Sequence, residues 1–214
     1  MKINEYIDHT NLKNNAVKED IKKLCEEAKV FSFKSVCVYP YYVKYAKSLL
    51  EDSNILVCTV IGFPSGMSTI ETKIFETKDA IKNGADEIDM VINISALKNK
   101  DYDYLKNEIK NIKEVVGNNV LKVIIETCLL TREEIIKITE ICNSVNVDFI
   151  KTSTGFSEYG ARVEDVKLIN KYRKDNISIK ASGGIKTYED AISMINSGAT
   201  RIGTSNGVNI INEK

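Results

Sequence analysis

Eight short, largely apolar and β-branched runs recur along the chain, at 6–10, 35–38, 55–61, 88–92, 121–126, 147–151, 177–181 and 200–203. Runs of this kind, too short for helices and without a strict apolar–polar alternation, suit strands buried on both faces, as in a parallel sheet covered by helices. The segments between them place apolar residues at helical spacing, such as Ile70, Ile74, Phe75 and Ile81, and further on Ile135, Ile138, Cys142 and Val145. Helix starts are signalled by Ser68 with Glu71 and Thr131 with Glu134, and in weaker form by Thr187 with Asp190. In each pair a hydroxyl and a carboxylate three residues on can satisfy backbone N–H groups that the first helical turn leaves unpaired.

A faint repeat marks the helix-to-strand turns: Asn-Gly-Ala-Asp-Glu-Ile (83–88), Ser-Gly-Ala-Thr-Arg-Ile (197–202) and, without the glycine, Asn-Val-Asp-Phe-Ile (146–150). Eight alternating strand and helix units predict a (β/α)8 barrel, an α/β fold, although 214 residues lie toward its short end. A doubly wound open sheet with fewer strands is the alternative. Length and a 43% apolar composition allow one core, so residues 1–214 are expected to form a single domain.

Composition removes several functions. Thirty basic and thirty acidic residues give no net field for nucleic acid or an anionic membrane, and no stretch is apolar for long enough to span a bilayer. The five scattered cysteines form no metal-binding spacing and read as reduced thiols of a cytoplasmic protein. His9 is the only histidine, which excludes metal sites needing two or three imidazoles and leaves acid–base work mainly to Lys, Asp, Glu or Tyr.

In a barrel, chemistry sits at the C-terminal ends of the strands. Those ends hold Asp8-His9-Thr10, Asp89 with Asn93, Glu126-Thr127, Lys151 and Lys180. A lysine in an apolar strand is costly unless it is paired or sheds its proton, and a neutral amine is a nucleophile. Lys180 on the neighbouring strand would favour the neutral form of Lys151 by repulsion. The plain alternative is two lysines salt-bridged to Asp89 or Glu126. Ser-Gly-Gly-Ile (182–185) and Gly-Thr-Ser-Asn-Gly (203–207) follow the seventh and eighth runs, where barrels often hold phosphate on bare backbone N–H groups. Neither is a dinucleotide or nucleotide-triphosphate loop.

Asp-His-Thr (8–10), Ser-Val-Cys-Val (35–38), Glu-Ile-Asp-Met-Val-Ile-Asn (87–93), Lys-Thr-Ser-Thr-Gly-Phe (151–156), Lys-Ala-Ser-Gly-Gly-Ile (180–185) and Arg-Ile-Gly-Thr-Ser (201–205) together resemble the deoxyribose-phosphate aldolases over nearly the whole chain. The resemblance implies a class I aldolase, free of metal and cofactor, that reversibly cleaves the phosphosugar 2-deoxy-D-ribose 5-phosphate to acetaldehyde and D-glyceraldehyde 3-phosphate in deoxyribose phosphate catabolism. It implies Lys151 as the Schiff-base lysine, Lys180 as its perturbing neighbour and Asp89 as a proton relay. It also implies substrate or phosphate contacts at Thr10, Gly155, Gly183, Gly184, Gly203, Ser205 and Asn206.

Asn206 stands where the family commonly has a second serine, and its backbone N–H and its side-chain amide are both expected to be able to serve the phosphate instead. His9 and Cys37 are read as structural, Glu126 as the partner of a lysine, and residues 39–42 as a strand-to-helix junction. A homodimer is the assembly to expect if the chain associates with itself.

Overall fold

The computed structural model describes residues 2–213. Its eight strands are β1 (Ile7–Asn11), β2 (Ser35–Val38), β3 (Leu56–Ile61), β4 (Glu87–Val91), β5 (Val120–Ile124), β6 (Phe149–Lys151), β7 (Ser178–Ser182) and β8 (Arg201–Thr204). They pair in parallel in chain order and close where Ile7, Asp8 and His9 of β1 meet Ile202, Gly203 and Thr204 of β8. The architecture is thus the closed (β/α)8 barrel, and the open sheet is excluded. The strands match the eight apolar runs to within a few residues at each end. β5 stops at Ile124, short of the expected end at 126.

Nine helices among the described residues surround the barrel: α1 (Lys18–Phe31), α2 (Val43–Leu49), α3 (Ile70–Lys82), α4 (Ile94–Lys98), α5 (Tyr102–Val116), α6 (Arg132–Val145), α7 (Val163–Tyr172), α8 (Tyr188–Asn196) and the short α9 (Gly207–Asn212). A single 3-10 turn at Pro40–Tyr42 makes the junction between β2 and α2. Outward-facing strand residues such as Val36, Ile88, Met90, Val123 and Ile202 pack against the helices in one continuous core. Burial of that surface, at about 25 cal/mol per Å², supplies the main drive for folding.

The helix-start signals hold at two of three places. Thr131 with Glu134 and Thr187 with Asp190 form reciprocal caps, the second as complete as the first. At α3 the cap is Thr69, not Ser68: its hydroxyl accepts from the Thr72 N–H at 3.3 Å. That one-residue shift moves Glu71 out of the position from which a carboxylate reaches back.

The inward stripe of α3 is Ile70, Lys73, Thr77 and Ala80, and Phe75, expected in the core, is 73% exposed. Lys73 holds a core position because its ammonium is fully satisfied there. It donates to the carbonyls of Gly66 and Val91, both at 2.8 Å, and meets Glu108 of α5 at 2.6 Å. The second Glu108 oxygen accepts the Asn93 N–H at 2.9 Å, so the pair ties α3 and α5 to the loops after β3 and β4.

The repeat at the helix-to-strand turns has a physical function. Asp86 accepts from the Val57 N–H at 2.9 Å and from Lys47 at 2.7 Å, and Asp148 accepts from the Leu121 N–H at 2.8 Å and from Lys113 at 2.5 Å. Each aspartate thus anchors the start of the preceding strand and a lysine from the helix that leads into that strand. Thr200 occupies the third copy and carries no carboxylate.

Removing one member of a fully buried ion pair leaves the other unpaired, at a cost of roughly 3–5 kcal/mol. Lys73→Met should therefore lower the stability of the fold by about 3 kcal/mol or more in equilibrium urea unfolding. An unchanged midpoint would mean that Glu108 is neutral in the folded chain.

Candidate active site

The barrel interior is where this chain departs from the usual apolar filling. Strand alternation turns Asp8, Glu87, Asp89, Lys122, Lys151, Lys180 and Arg201 inward, all of them buried. Register does the rest: Asp89 of β4 lies beside Lys122 of β5, and Lys151 of β6 beside Lys180 of β7.

Asp89 is the hub. Its Oδ2 accepts from Lys151 Nζ at 2.8 Å and Lys180 Nζ at 2.7 Å, and its Oδ1 from Lys122 Nζ at 2.8 Å and the Cys58 thiol at 3.1 Å. Below the hub, Lys180 also meets Asp8 at 2.5 Å, and Lys122 meets Glu87 at 2.7 Å. Arg201 closes the floor on Asp8 at 2.7 Å and on Glu87 at 2.9 Å.

Three carboxylates therefore face four basic side chains in this closed space, and a fully ionised cluster would carry one uncompensated positive charge. Lys122, Lys180 and Arg201 each touch two carboxylates closely. Lys151 touches one.

The pKa shifts follow from this packing. Burial raises the carboxyl pKa of Asp89, but the ammonium groups of Lys122, Lys151 and Lys180 outweigh it and hold Asp89 well below the usual carboxylate range. Asp8 is likewise lowered, with burial opposed by Lys180 and Arg201. Burial works against the charged forms of Lys122 and Lys180, yet their carboxylate partners raise both above an ordinary lysine. Lys180 is thus a fixed cation beside Lys151, as the sequence implied. Lys122 is a second one that the sequence reading missed.

Above the cluster opens a cavity of about 570 Å³ at the C-terminal ends of the strands. Lys151 reaches it from the floor, and Thr10 and Gly155 form part of the wall. Gly183, Gly184, Gly203, Ser205 and Asn206 line the side formed by the loops after β7 and β8. Asp89 and Lys180 lie beneath, in contact with Lys151 and outside the cavity lining. All ten residues picked out in the sequence are therefore in the cavity or directly under it.

The backbone N–H groups of Gly155, Gly183, Gly184 and Ser205 have no protein acceptor among the described residues. The Asn206 N–H differs from expectation, because it donates to Thr204 Oγ1 at 2.9 Å. Only its side chain is left for a ligand. Gly183 has φ +82°, and its Cα lies close to the backbone of Gly155 and Gly160. A side chain at 160 would run into the Gly183 carbonyl.

Other expectations sort as follows. His9 is buried, with Nε2 2.7 Å from a Glu27 oxygen, and burial lowers its pKa against the pull of that carboxylate. His9 also lines the cavity. Cys37 is fully buried beside Cys58. Glu126 does not pair with a lysine: it accepts from the N–H and hydroxyl of Thr154. Cys37, Cys58 and Asp89 could bring three ligand atoms within 4.8 Å of one another, but Lys122, Lys151 and Lys180 already occupy both Asp89 oxygens. Glu87, Lys122 and Arg201 lie below the C-terminal strand ends, where position along the chain does not mark them as part of the site. Their signal was present in the two-residue spacing from Glu87 to Asp89.

The family model for the DeoC/LacD family aldolases matches residues 3–213. The chain belongs to that family. It is therefore a carbon–carbon lyase. A deoxyribose-phosphate aldolase from Caldanaerobacter subterraneus subsp. tengcongensis is 55% identical over all of this chain and 94% of its own length. One from Mycoplasma capricolum is 51% identical over 99% of this chain and 95% of its own. Among solved structures, the deoxyribose phosphate aldolase of Aeropyrum pernix, described as a unique tetramer, superposes with a TM-score of 0.89 at 30% identity, covering 98% of this chain and 89% of that one. No helix among the described residues is long and apolar enough to cross a membrane.

The buried cluster gives this aldolase a definite pH response. Carboxylates with lowered pKa values stabilise the fold above their unfolded value near 3.9, and that contribution is lost as pH falls below it. Lysines with raised values stabilise it below about 10.4, and that contribution is lost as pH rises further. The contribution of these carboxylates and lysines to the unfolding free energy should thus stay level between about pH 5 and 10 and fall on both sides. Asp8→Asn should destabilise the protein at pH 7 and flatten the acid limb in urea titrations. An acid limb as steep as in the parent would place the titrating groups elsewhere.

Proposed function

We propose that this chain cleaves 2-deoxy-D-ribose 5-phosphate reversibly to acetaldehyde and D-glyceraldehyde 3-phosphate through a Schiff base on Lys151, as part of deoxyribose phosphate catabolism in the cytoplasm. The observation that carries the reading is the position of Lys151. It is the one lysine of the cluster that reaches the cavity, and it has a single carboxylate partner in a group with one basic side chain too many. Loss of its proton neutralises the cluster.

The neutral amine adds to the open-chain aldehyde at C1, and loss of water gives an iminium. Removal of the C3 hydroxyl proton lets the C2–C3 bond break. Its electron pair moves into the iminium to form an enamine, and C3 leaves as the aldehyde of glyceraldehyde 3-phosphate. Protonation of the enamine carbon and hydrolysis then release acetaldehyde and regenerate Lys151.

Asp89, which bridges Lys151 and Lys180 through one oxygen, can pass protons between them and, with water, to the substrate. The phosphate is assigned to the cradle of Gly155, Gly183, Gly184, Gly203 and Ser205. Asn206 contributes its side-chain amide and Thr10 the opposite wall. Exposed amide N–H groups suit a phosphate dianion because they donate without titrating. A homo-oligomer, as described for the Aeropyrum pernix protein, fits the same family setting.

Incubation with deoxyribose 5-phosphate and borohydride should leave a stable adduct on Lys151, absent in Lys151→Ala, and glyceraldehyde 3-phosphate should form with a chelator present. An adduct on another lysine would refute the assignment. If Lys180 lowers the proton affinity of Lys151, Lys180→Leu should move the pH at which half the protein is trapped upward by about one unit or more. An unmoved profile would leave Lys180 a structural residue.

A further inference from the structure

Glu126 stands out beside the nucleophile. It is a buried non-glycine residue in the left-handed region, with φ 52° and ψ 66°. Such a conformation is disfavoured for a residue with a side chain and persists where the surroundings fix it. The ladder beside it is irregular in the same place. The Ile125 N–H donates to the Lys151 carbonyl at 3.0 Å and the Thr127 N–H to the Thr152 carbonyl at 2.9 Å. Donors two residues apart therefore meet acceptors one residue apart, which makes Glu126 an extra residue in the continuation of β5. Such bulges re-aim a side chain.

The carboxylate is turned onto the segment after β6. One oxygen accepts the Thr154 N–H at 3.1 Å and the other the Thr154 hydroxyl, while Thr154 Oγ1 accepts the Phe156 N–H at 3.1 Å. Gly155, at φ +84°, is enclosed between these bonds. On its other side the segment is stitched to β7, where the Ser182 hydroxyl donates to the Ser153 carbonyl at 2.7 Å. Lys151 and Gly155 thus belong to one short stretch held from both flanks.

We propose that Glu126 is a positioning residue for the phosphate end of the substrate. Through Thr154 it fixes the turn at Gly155, so that the Gly155 N–H joins those of Gly183 and Gly184 in one cradle at a set distance from Lys151. The inference rests on the deoxyribose 5-phosphate reading above and deepens it. It assigns to a carboxylate that touches no substrate the preference for a phosphorylated over an unphosphorylated aldose.

The test compares deoxyribose 5-phosphate with deoxyribose in the parent and in Glu126→Gln, which keeps the shape but can accept through only one of its two terminal atoms. KM for the phosphorylated sugar should rise about tenfold or more with kcat within about threefold, and the ratio of kcat/KM between the two sugars should fall by about the same tenfold. Inorganic phosphate should bind more weakly to the variant in calorimetric titration. Equal losses on both sugars, or undiminished phosphate binding, would overturn the proposal.

If Glu126→Gln does not fold, Thr154→Val, which removes the hydroxyl held by the carboxylate, should give the same split. Where both fold, the double variant should lose no more than the worse single one, because the two residues act along one path. If the parent forms no adduct with either sugar, the aldolase reading fails, and the phosphate titration still decides whether Glu126 shapes the cradle.

Discussion

The structure depends on one carboxylate holding three ammonium groups. Asp89 takes Lys122, Lys151 and Lys180 from three consecutive strands, and all four side chains are buried. Desolvation makes such a cluster expensive, and an apolar set of the same volume would serve stability as well or better. The cost becomes intelligible if the cluster has work to do. Its lower carboxylates, Asp8 and Glu87, compensate Lys122, Lys180 and Arg201 and leave Lys151 with the least support. The lysine with the fewest carboxylate partners is also the one facing the cavity.

Much of this could be read from the chain before any coordinates. The eight runs fix the number of strands because burial on both faces leaves a signature that survives without alternation. The Thr131 and Thr187 caps are local, set by residues three apart. The polar strand ends lie at the rim where the cavity opens. What could not be read are pairings that ring closure decides. Arg201 meets Asp8 across 193 positions because β8 returns to β1, and no spacing in the sequence encodes that contact. Lys122 was overlooked because it sits one layer below the rim, where a lone charge in an apolar strand reads as an ordinary irregularity.

Two departures from expectation share a cause. Glu126 was expected to pair with a lysine, and the Asn206 N–H was expected to face phosphate. Both positions lie just beyond a regular strand, where the chain leaves the two-residue alternation and a residue's direction no longer follows from its number. At 126 an inserted residue turns the carboxylate onto Thr154. At 206 the turn after β8 folds the N–H back onto Thr204 Oγ1, which itself donates to the Ile185 carbonyl at 2.7 Å. That pair of bonds links the two glycine loops, so Asn206 contributes to the cradle by fixing its shape as well as by what its amide can reach.

The site therefore divides by chemistry along its depth. The floor consists of titratable groups whose protonation is mutually determined, and the upper wall includes main-chain amides that do not titrate. A reaction run by the floor changes with pH while the protein's own contribution to anion binding on the wall does not. In the proposed reaction, the pH dependence of cleavage would come from Lys151 and its neighbours together with the phosphate's own ionisation. Titration of an unphosphorylated sugar isolates the first of these. The separation matters because coupled groups titrate as a set. An apparent value measured on this enzyme describes the Asp89-centred cluster as a whole, and assigning it to Lys151 alone requires the neighbouring cations to be removed one at a time.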